Sequence, residues 1–312
     1  MAKRLKILLT GSNGFLGDYL ANLLISDDFE ISKLLRSDVN HLLAIYEKSK
    51  EINSWNKYSI FKKKYDVIIH TASLSYSECE KDPTKAYLIN NLFTEILIDY
   101  SMINNSYFIF FSSVQVYGKL LNGNYSEETK ISPNTVYSIS KAKSEFYLLD
   151  KITKNFLQGI VLRIGNVVGK PIKYDSKGWE LFANSSIRDI SINKKITIKN
   201  NPNLRRNFIS INLLMNLLRK ILKDQSKTKI YIPRVLNVTM GESLSLIEYA
   251  QLVAEKYYEV YEKEAKIKFD EKLIQAVPYS IIENKKLEDY FPSFRNFNLE
   301  ENIKEILEFF KN

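Results

Sequence analysis

The sequence predicts an α/β protein: a doubly wound parallel sheet followed by a smaller, mixed α/β C-terminal lobe. Three observations predict it. Apolar runs of strand length alternate with segments whose apolar residues recur at helical spacing. The first run and the first helical segment are joined by a glycine-rich turn, Thr10–Gly17 (TGSNGFLG). Beyond about residue 170 the alternation loosens, as expected where a second lobe begins.

Leu5–Leu9 (LKILL) reads as the first strand, and Tyr19–Ile25 carries Leu20, Leu23 and Leu24 on one helical face. Gly11, Gly14 and Gly17 between them lack a Cβ, so the turn can be tight, a phosphate can approach the backbone and the helix can pack on the strand. The helix start then presents free N–H groups and the positive end of its dipole to an anion such as a dinucleotide pyrophosphate. Glu30–Leu35 reads as a second strand and ends in Arg36. An acidic residue near this place accepts the ribose 2′-hydroxyl of NAD, whereas an arginine accommodates the 2′-phosphate of NADP. With Leu35–Arg36 here, NADP(H) is favoured and NAD(H) is the alternative. Residues 38–64 are poorly patterned; His41–Tyr46 reads as helical, and a third strand falls near Ser59–Phe61 or Glu51–Ser54.

Tyr65–His70 (YDVIIH) is a buried strand running into Thr71–Ala72–Ser73, Ala86–Ile103 has helical spacing, and Tyr107–Phe111 (YFIFF) is a strand that stops at Ser112–Ser113. Ligands of such sheets sit at the carboxyl ends of the strands, so the glycine turn, Thr71, Ser112 and Ser113 belong on one rim. Pro133 opens a helix from Thr135 to about Thr153, and Gly159–Arg163 (GIVLR) is another strand. Further on, Trp179–Ile190, Leu213–Leu222 and Ser245–Tyr261 read as helices, Lys195–Lys199 and Leu236–Thr239 as strands, and Leu204–Ile211 as basic then apolar. The domain reading is a nucleotide domain over 1–170, to which elements near 205–240 return, and a substrate-binding lobe over 171–312.

Composition sets outer bounds. The chain has 312 residues and 45% hydrophobic content, enough to bury a full α/β core. The net charge of +9 comes mostly from scattered lysines, which points away from nucleic acid and towards anionic small molecules. Cys79 is the only cysteine, so no intramolecular disulfide can form. No apolar run approaches the length of about 18 residues that a membrane helix needs. The charged start MAKRLKILLTG reads as a strand and not a signal peptide, and a cytoplasmic protein without a membrane partner is expected.

Ser113, Tyr137 and Lys141 form the constellation that could carry chemistry. A free tyrosine has a pKa near about 10, too high for easy proton exchange at neutral pH. A lysine one helical turn away would stabilise the phenolate, and so would an oxidised nicotinamide. A hydroxyl at a facing strand end could hold a substrate carbonyl or alcohol beside the phenol, an arrangement suited to hydride transfer at carbon and proton transfer at oxygen.

With these residues in place the chain resembles the extended group of the short-chain dehydrogenase/reductase superfamily, enzymes of Rossmann fold that act on nucleotide-activated sugars. The resemblance rests on the TGxxGFLG turn, DVIIHTAS (Asp66–Ser73), SECEKDPTKAYLIN ending in Asn90, SSVQVYG (Ser112–Gly118), YSISK (Tyr137–Lys141), LRIGNVVGKP (Leu162–Pro171) and LRRNFISI. It implies Tyr137 as acid/base, Lys141 as its pKa partner and ribose ligand, and Ser113 as the substrate-polarising hydroxyl. It places cofactor contacts on Gly11, Asn13, Gly14, Phe15, Leu16, Gly17, Arg36, Thr71, Ala72 and Asn90, besides Tyr137 and Lys141. It places the nucleotide-diphosphate sugar on Ser75, Ser113, Asn166 and Arg206; a guanidinium also matches phosphate oxygens in a bidentate way.

Departures narrow the activity. Dehydratases of the group carry Asp–Glu directly after the active-site hydroxyl, where this chain has Val114–Gln115. VPYSIIENKKL (Val277–Leu287) is similar to the closing RPxxSxLDxxKL segment of 4-ketosugar reductases, without its arginine. Asn207 replaces the family's Asp in RRDF, and Val168 replaces the Tyr of NVYGP. The favoured reading is an NADP-dependent reductase of a nucleotide-activated 4-keto sugar; an NAD-dependent 4-epimerase and a non-catalytic NADPH-binding sensor or subunit are the alternatives. His70 reads as a packed core residue, and no metal-ligand cluster is expected. Leu92, Phe93, Phe146 and Leu149 on helices 86–103 and 135–153 read as core or as the four-helix homodimer contact typical of the family, with the dimer favoured.

Overall fold

The computed structural model describes residues 4–26, 29–40, 43, 60–225, 227, 230–296 and 298–311. In chain order the strands are β1 Lys6–Thr10, β2 Glu30–Leu34, β3 Val67–His70, β4 Tyr107–Ser113, β5 Gly123–Tyr125, β6 Gly159–Ile164, β7 Asn166–Val168, β8 Lys195–Ile198, β9 Arg205–Ser210, β10 Val235–Val238, β11 Ser243–Ser245, β12 Lys266–Phe269 and β13 Ser280–Ile282. Six of them form a parallel sheet in the order β10-β6-β4-β3-β1-β2. The readings for His41–Tyr46 and for a strand at Glu51–Ser54 or Ser59–Phe61 fall mostly outside the described residues. Among the described residues no helix is long and apolar enough to cross a membrane.

The chain divides into two compact units, Met1–Lys119 with Lys130–Arg163 and Ile232–Val235, and Leu120–Thr129 with Ile164–Tyr231 and Leu236–Asn312. The division therefore falls after Arg163 instead of at 170. Of the region near 205–240, only Ile232–Val235 groups with the first unit.

In the first unit β1, β3 and β4 are almost wholly buried, as a parallel sheet covered on both faces requires. Thr10 pairs with His70, and His70 with Phe110. That register brings the carboxyl ends of β1, β3 and β4 abreast, so the glycine turn, Thr71 and Ser112–Ser113 leave the sheet along one rim. β1 lies between β2 and β3; the order of propagation reverses there, which is where an open α/β sheet offers its crevice.

One expected helix is built differently. Instead of running regularly over Ala86–Ile103, the chain makes a helical turn at Pro83–Ala86, a π-helical segment at Tyr87–Leu92 and an α-helix at Phe93–Asn104. The reason lies in Asn90 and Asn91. Adjacent residues of a regular helix do not face the same way, yet both side chains here meet the helix Val136–Thr153. Asn90 Nδ2 donates to Ser140 Oγ at 2.9 Å, and Asn91 Nδ2 to the Ser140 carbonyl at 2.7 Å and Ser144 Oγ at 3.0 Å. The wide turn leaves the Asn90 carbonyl to accept from the Thr94 and Ser144 hydroxyls, each at 2.7 Å. Leu92 and Phe93, read as core or as the homodimer contact with the dimer favoured, are core residues at 8% and 0% exposure. Phe146 is exposed.

The second unit holds three small sheets, β11-β9-β7, β12-β8 and β13-β5. Its core gathers Ile187, Ile190, Phe208, Tyr249, Val253 and Ile303, with Phe208 stacked on Tyr249 at 4.4 Å. Its helices include Phe182–Asn193, Ile211–Asp224, Leu246–Tyr261 and Leu299–Lys311.

Candidate active site

The glycine turn is built as its spacing requires. Gly11 has φ +76°, and a Cβ there would lie 2.6 Å from both Ala72 N and Thr71 Oγ1. A Cβ on Gly17 would lie 2.1 Å from the Gly11 carbonyl oxygen, so only glycine lets the helix Phe15–Ser26 start this close to the strand end. Gly14 differs: within 4 Å its Cβ would meet only the Gly11 oxygen, at 3.3 Å. Packing inside the protein thus accounts for Gly11 and Gly17 but little for Gly14, the glycine that a phosphate must approach. Asn13 and Gly14 are exposed, Phe15 and Leu16 partly so. Ser12, outside the motif's glycines, is 4% exposed, and its hydroxyl has no hydrogen-bond partner among the described residues. A buried polar group without a partner is costly, and its place in a phosphate-cradling turn fits a dinucleotide ligand.

Thr71 and Ala72 follow β3 on the same rim, where the Thr71 hydroxyl donates to the Thr10 carbonyl at 2.7 Å. Arg36 stands two residues beyond the end of β2 and is exposed; the Leu35 N–H is taken by Asp38 Oδ2 at 2.8 Å. His70 is a core residue, bonded through Nδ1 to Thr10 Oγ1 at 2.7 Å and through Nε2 to Thr94 Oγ1 at 2.8 Å. Because the Thr94 hydroxyl donates its own proton to the Asn90 carbonyl, His70 must donate from Nε2 and accept at Nδ1. That is the neutral form, and burial pushes its pKa down to about 3.

Ser113 ends β4 and caps the short helix Val114–Tyr117, accepting from the Gln115 N–H at 3.2 Å. Its hydroxyl bonds the Tyr137 phenol. Thr135 caps the helix Val136–Thr153 through a reciprocal pair with Ser138, which fixes Tyr137 and Lys141 in its first two turns. Lys141 is 4% exposed, donates from Nζ to the Phe111 carbonyl at 2.9 Å and lies 5.9 Å from the centre of the Tyr137 ring. The three residues expected to act together are therefore brought together.

Their electrostatics correct the expectation. Lys141 was expected to lower the Tyr137 pKa, but in this protein the phenol is pushed up to about 12: burial is the largest cause, Cys79 adds to it, and the Ser113 hydrogen bond opposes it. Burial also brings Lys141 down to about 8, against the pull of Cys79 and Glu145. Burial acts on both members of the pair, raising the phenol and lowering the ammonium.

Asn90, expected to touch the cofactor, is 2% exposed and spent on the protein: Oδ1 accepts from Leu74 N at 2.8 Å, and Nδ2 reaches Cys79 Sγ at 3.3 Å besides Ser140. Ser140 in turn donates to the Tyr137 carbonyl at 2.7 Å, so Asn90 steadies the turn that carries the reactive pair. Ser75 caps the helix Tyr76–Lys81 in a capping box with Glu78.

In the second unit β9 separates the arginine pair. Arg205 is tied inward, donating from Nε to Ser243 Oγ at 2.9 Å, pairing with Glu248 at 3.1 Å and stacking over Tyr279 at 4.8 Å. Arg206 points the other way, as alternation along a strand demands; it is exposed and has no carboxylate partner among the described residues. Asn166 at the start of β7 donates to the Asn207 carbonyl at 3.1 Å. Asn207 is buried and donates to the Gly241 carbonyl at 3.1 Å, a bond the family's aspartate could not make when ionised.

The sequence model of the NAD dependent epimerase/dehydratase family matches residues 7–238. The chain belongs to this family. Among its curated relatives are D-erythronate dehydrogenase of Haemophilus influenzae, 30% identical over 196 residues (59% of this chain and 62% of that protein), and dTDP-D-glucose 4,6-dehydratase of Dictyostelium discoideum, 28% identical over 258 residues (72% and 57%). A third is dTDP-4-dehydrorhamnose reductase of Aggregatibacter actinomycetemcomitans, 29% identical over 158 residues, 49% of each chain. The chain spans less than two thirds of the length of each. Among solved structures, RMD from Pseudomonas aeruginosa complexed with NADPH shares the fold at TM-score 0.74 and 20% identity, over 98% of this chain and 99% of that one. UDP-N-acetylglucosamine 4-epimerase from Methanobrevibacter ruminantium shares it at TM-score 0.76 and 21% identity, over 99% of both.

Proposed function

We propose that the chain is an NADPH-dependent reductase of a nucleotide-activated 4-keto sugar. The observation that carries the reading is the Tyr137 phenol set beside the Ser113 hydroxyl and the buried Lys141 ammonium, a trio able to protonate the oxyanion that a hydride leaves. Arg36, with no acid at Leu35, favours NADPH and so a reductase over a 4-epimerase that holds NAD. When bound, NADPH supplies a hydride to C4. Ser113 then hydrogen-bonds the C4 oxygen and Tyr137 gives it a proton, leaving an alcohol. Lys141, largely protonated below its pKa of about 8, stabilises the phenolate that remains.

Other residues support the same reading. Ser12 and Gly14 fit the pyrophosphate, and Arg36 stands where a 2′-phosphate would be met. Arg206, without a carboxylate partner among the described residues, suits a substrate diphosphate, with Asn166 as a second sugar-nucleotide contact. Val114 and Gln115 lack the acid and base of a 4,6-dehydratase, and a 4-ketosugar reductase is among the curated relatives. We also propose a homodimer through helices 86–103 and 135–153, where Ile103, Ile139 and Phe146 are exposed.

The test is a titration of NADPH against NADH, followed by a panel of 4-keto and 4-hydroxy nucleotide sugars at the nicotinamide absorbance. Tyr137→Phe is expected to cut turnover by about 10²–10⁴-fold with NADPH binding unchanged. Equal turnover in that variant, or conversion of a 4-hydroxy sugar without added NADPH, would overturn the reading.

A further inference from the structure

Behind the reactive group the first unit buries an ion pair. The side chains of Glu145 and Arg163 are 1% and 5% exposed. Arg163, on β6, donates to Glu145 Oε2 from Nη2 at 2.8 Å and from Nε at 3.1 Å, and from Nη1 to the Tyr117 hydroxyl at 3.0 Å. Glu145 Oε1 accepts from the Ser112 hydroxyl. A buried ion pair is weak evidence for stability, because an apolar pair of similar volume often serves as well. Its location supplies another reason. Glu145 stands one helical turn beyond Lys141, at i+4. Ser112 adjoins Ser113, and Tyr117 closes the short helix that Ser113 caps.

We propose that Glu145, clamped by Arg163, is a positioning residue for Ser113, Tyr137 and Lys141: it locks the Ser113 turn to the helix and sets a negative charge beside the Lys141 ammonium. This rests on the reading of that trio as the reactive centre. The groups that act on Lys141 are Cys79 and His70 from neighbouring elements, and Tyr137 and Glu145 from its own helix, with Arg163 behind Glu145. Burial lowers the Lys141 pKa and Glu145 opposes it. Without the carboxylate, the Arg163 cation would act in the same direction as burial.

The experiment is a side-chain NMR titration of the whole protein carrying ¹³C-labelled lysine, with Lys141 assigned through Lys141→Arg. Glu145→Gln is expected to move the Lys141 midpoint down by about one pH unit, and Arg163→Met to move it up. Loosened packing alone would not give opposite signs; shifts of one sign, or none, would overturn the proposal. Where a single variant fails to fold, Glu145→Gln/Arg163→Met removes both charges of the ion pair together, so neither is left buried without the other. Its midpoint should fall by part of the Glu145→Gln shift, since Glu145 is the nearer charge, and an unchanged midpoint would count against the proposal. In turnover assays Glu145→Gln should lower kcat with the KM for NADPH held. A wild-type protein that reduces no 4-keto nucleotide sugar would sink the reductase reading while the titrations still decide this one.

Discussion

Gly14 and Gly17 look equivalent in the motif, yet replacing each by alanine should do different things. A Cβ on Gly17 would sit 2.1 Å from the Gly11 carbonyl oxygen and 2.6 Å from its carbon, both backbone atoms that cannot turn aside. To restore even the 3.0 Å that real Cβ atoms keep, the helix start must retreat by about 0.9 Å from β1. Overpacking of this kind costs about 1–3 kcal/mol, and the gain in helix propensity, about 1 kcal/mol, offsets only part of it. Since 1 kcal/mol moves Tm by roughly 2–4 °C in a chain of this order of size, Gly17→Ala should melt several degrees lower. Gly14→Ala meets only one atom, at 3.3 Å, and relaxes within a few tenths of an ångström. Its Tm should stay at the wild-type value, while its methyl group stands where the pyrophosphate must approach. Fluorescence titration should show NADPH affinity falling at least about tenfold, about 1.4 kcal/mol. A Gly14→Ala protein that binds NADPH as the wild type does would refute the assignment of this turn. So would a Gly17→Ala protein that melts unchanged.

Three further outcomes are expected. Arg206→Ala should weaken nucleoside-diphosphate binding, read by calorimetry, and leave Tm in place; Arg205→Ala should lower Tm, because it breaks the ties to Ser243 and Glu248. Arg36→Ala should reduce the preference for NADPH over NADH at least about tenfold in paired titrations, since a 2′-phosphate contact of about 1.4 kcal/mol or more is lost. His70 stays neutral in the folded chain down to about pH 3, whereas the unfolded chain takes up a proton below its ordinary value of 6.5. Stability present above pH 6.5 is thus lost as pH falls towards 3, by about 1.4 kcal/mol per pH unit. His70→Gln should flatten that slope in denaturant titrations at pH 7 and pH 5.5.

The elements around the reactive rim were legible because each leaves a local signature. The Thr10–Gly17 turn shows its spacing, β3 and β4 show continuous apolar runs, and Tyr137 and Lys141 show helical spacing. Features set by contacts distant in sequence were not. The π-helical turn at Tyr87–Leu92 depends on Ser140 and Ser144, some fifty residues away. Strands β5, β7, β11, β12 and β13 are three or four residues long, too short for alternation to rise above chance. The rise in the Tyr137 pKa comes chiefly from burial, which spacing cannot report. Ser12 carries no spacing signal of its own within the turn; only its burial in the fold marks it. Glu145 could have been found, since its place four residues beyond Lys141 repeats the interval from Tyr137 to Lys141.

The measurement closest to the central claim follows the hydride. With NADPH deuterated at the transferable position and a 4-keto nucleotide sugar as substrate, the product should carry one deuterium at C4 with one NADPH consumed per sugar, and Tyr137→Phe should slow the transfer by about 10²–10⁴-fold. A C4 that remains free of deuterium while the sugar is converted, with no NADPH consumed, would contradict the account.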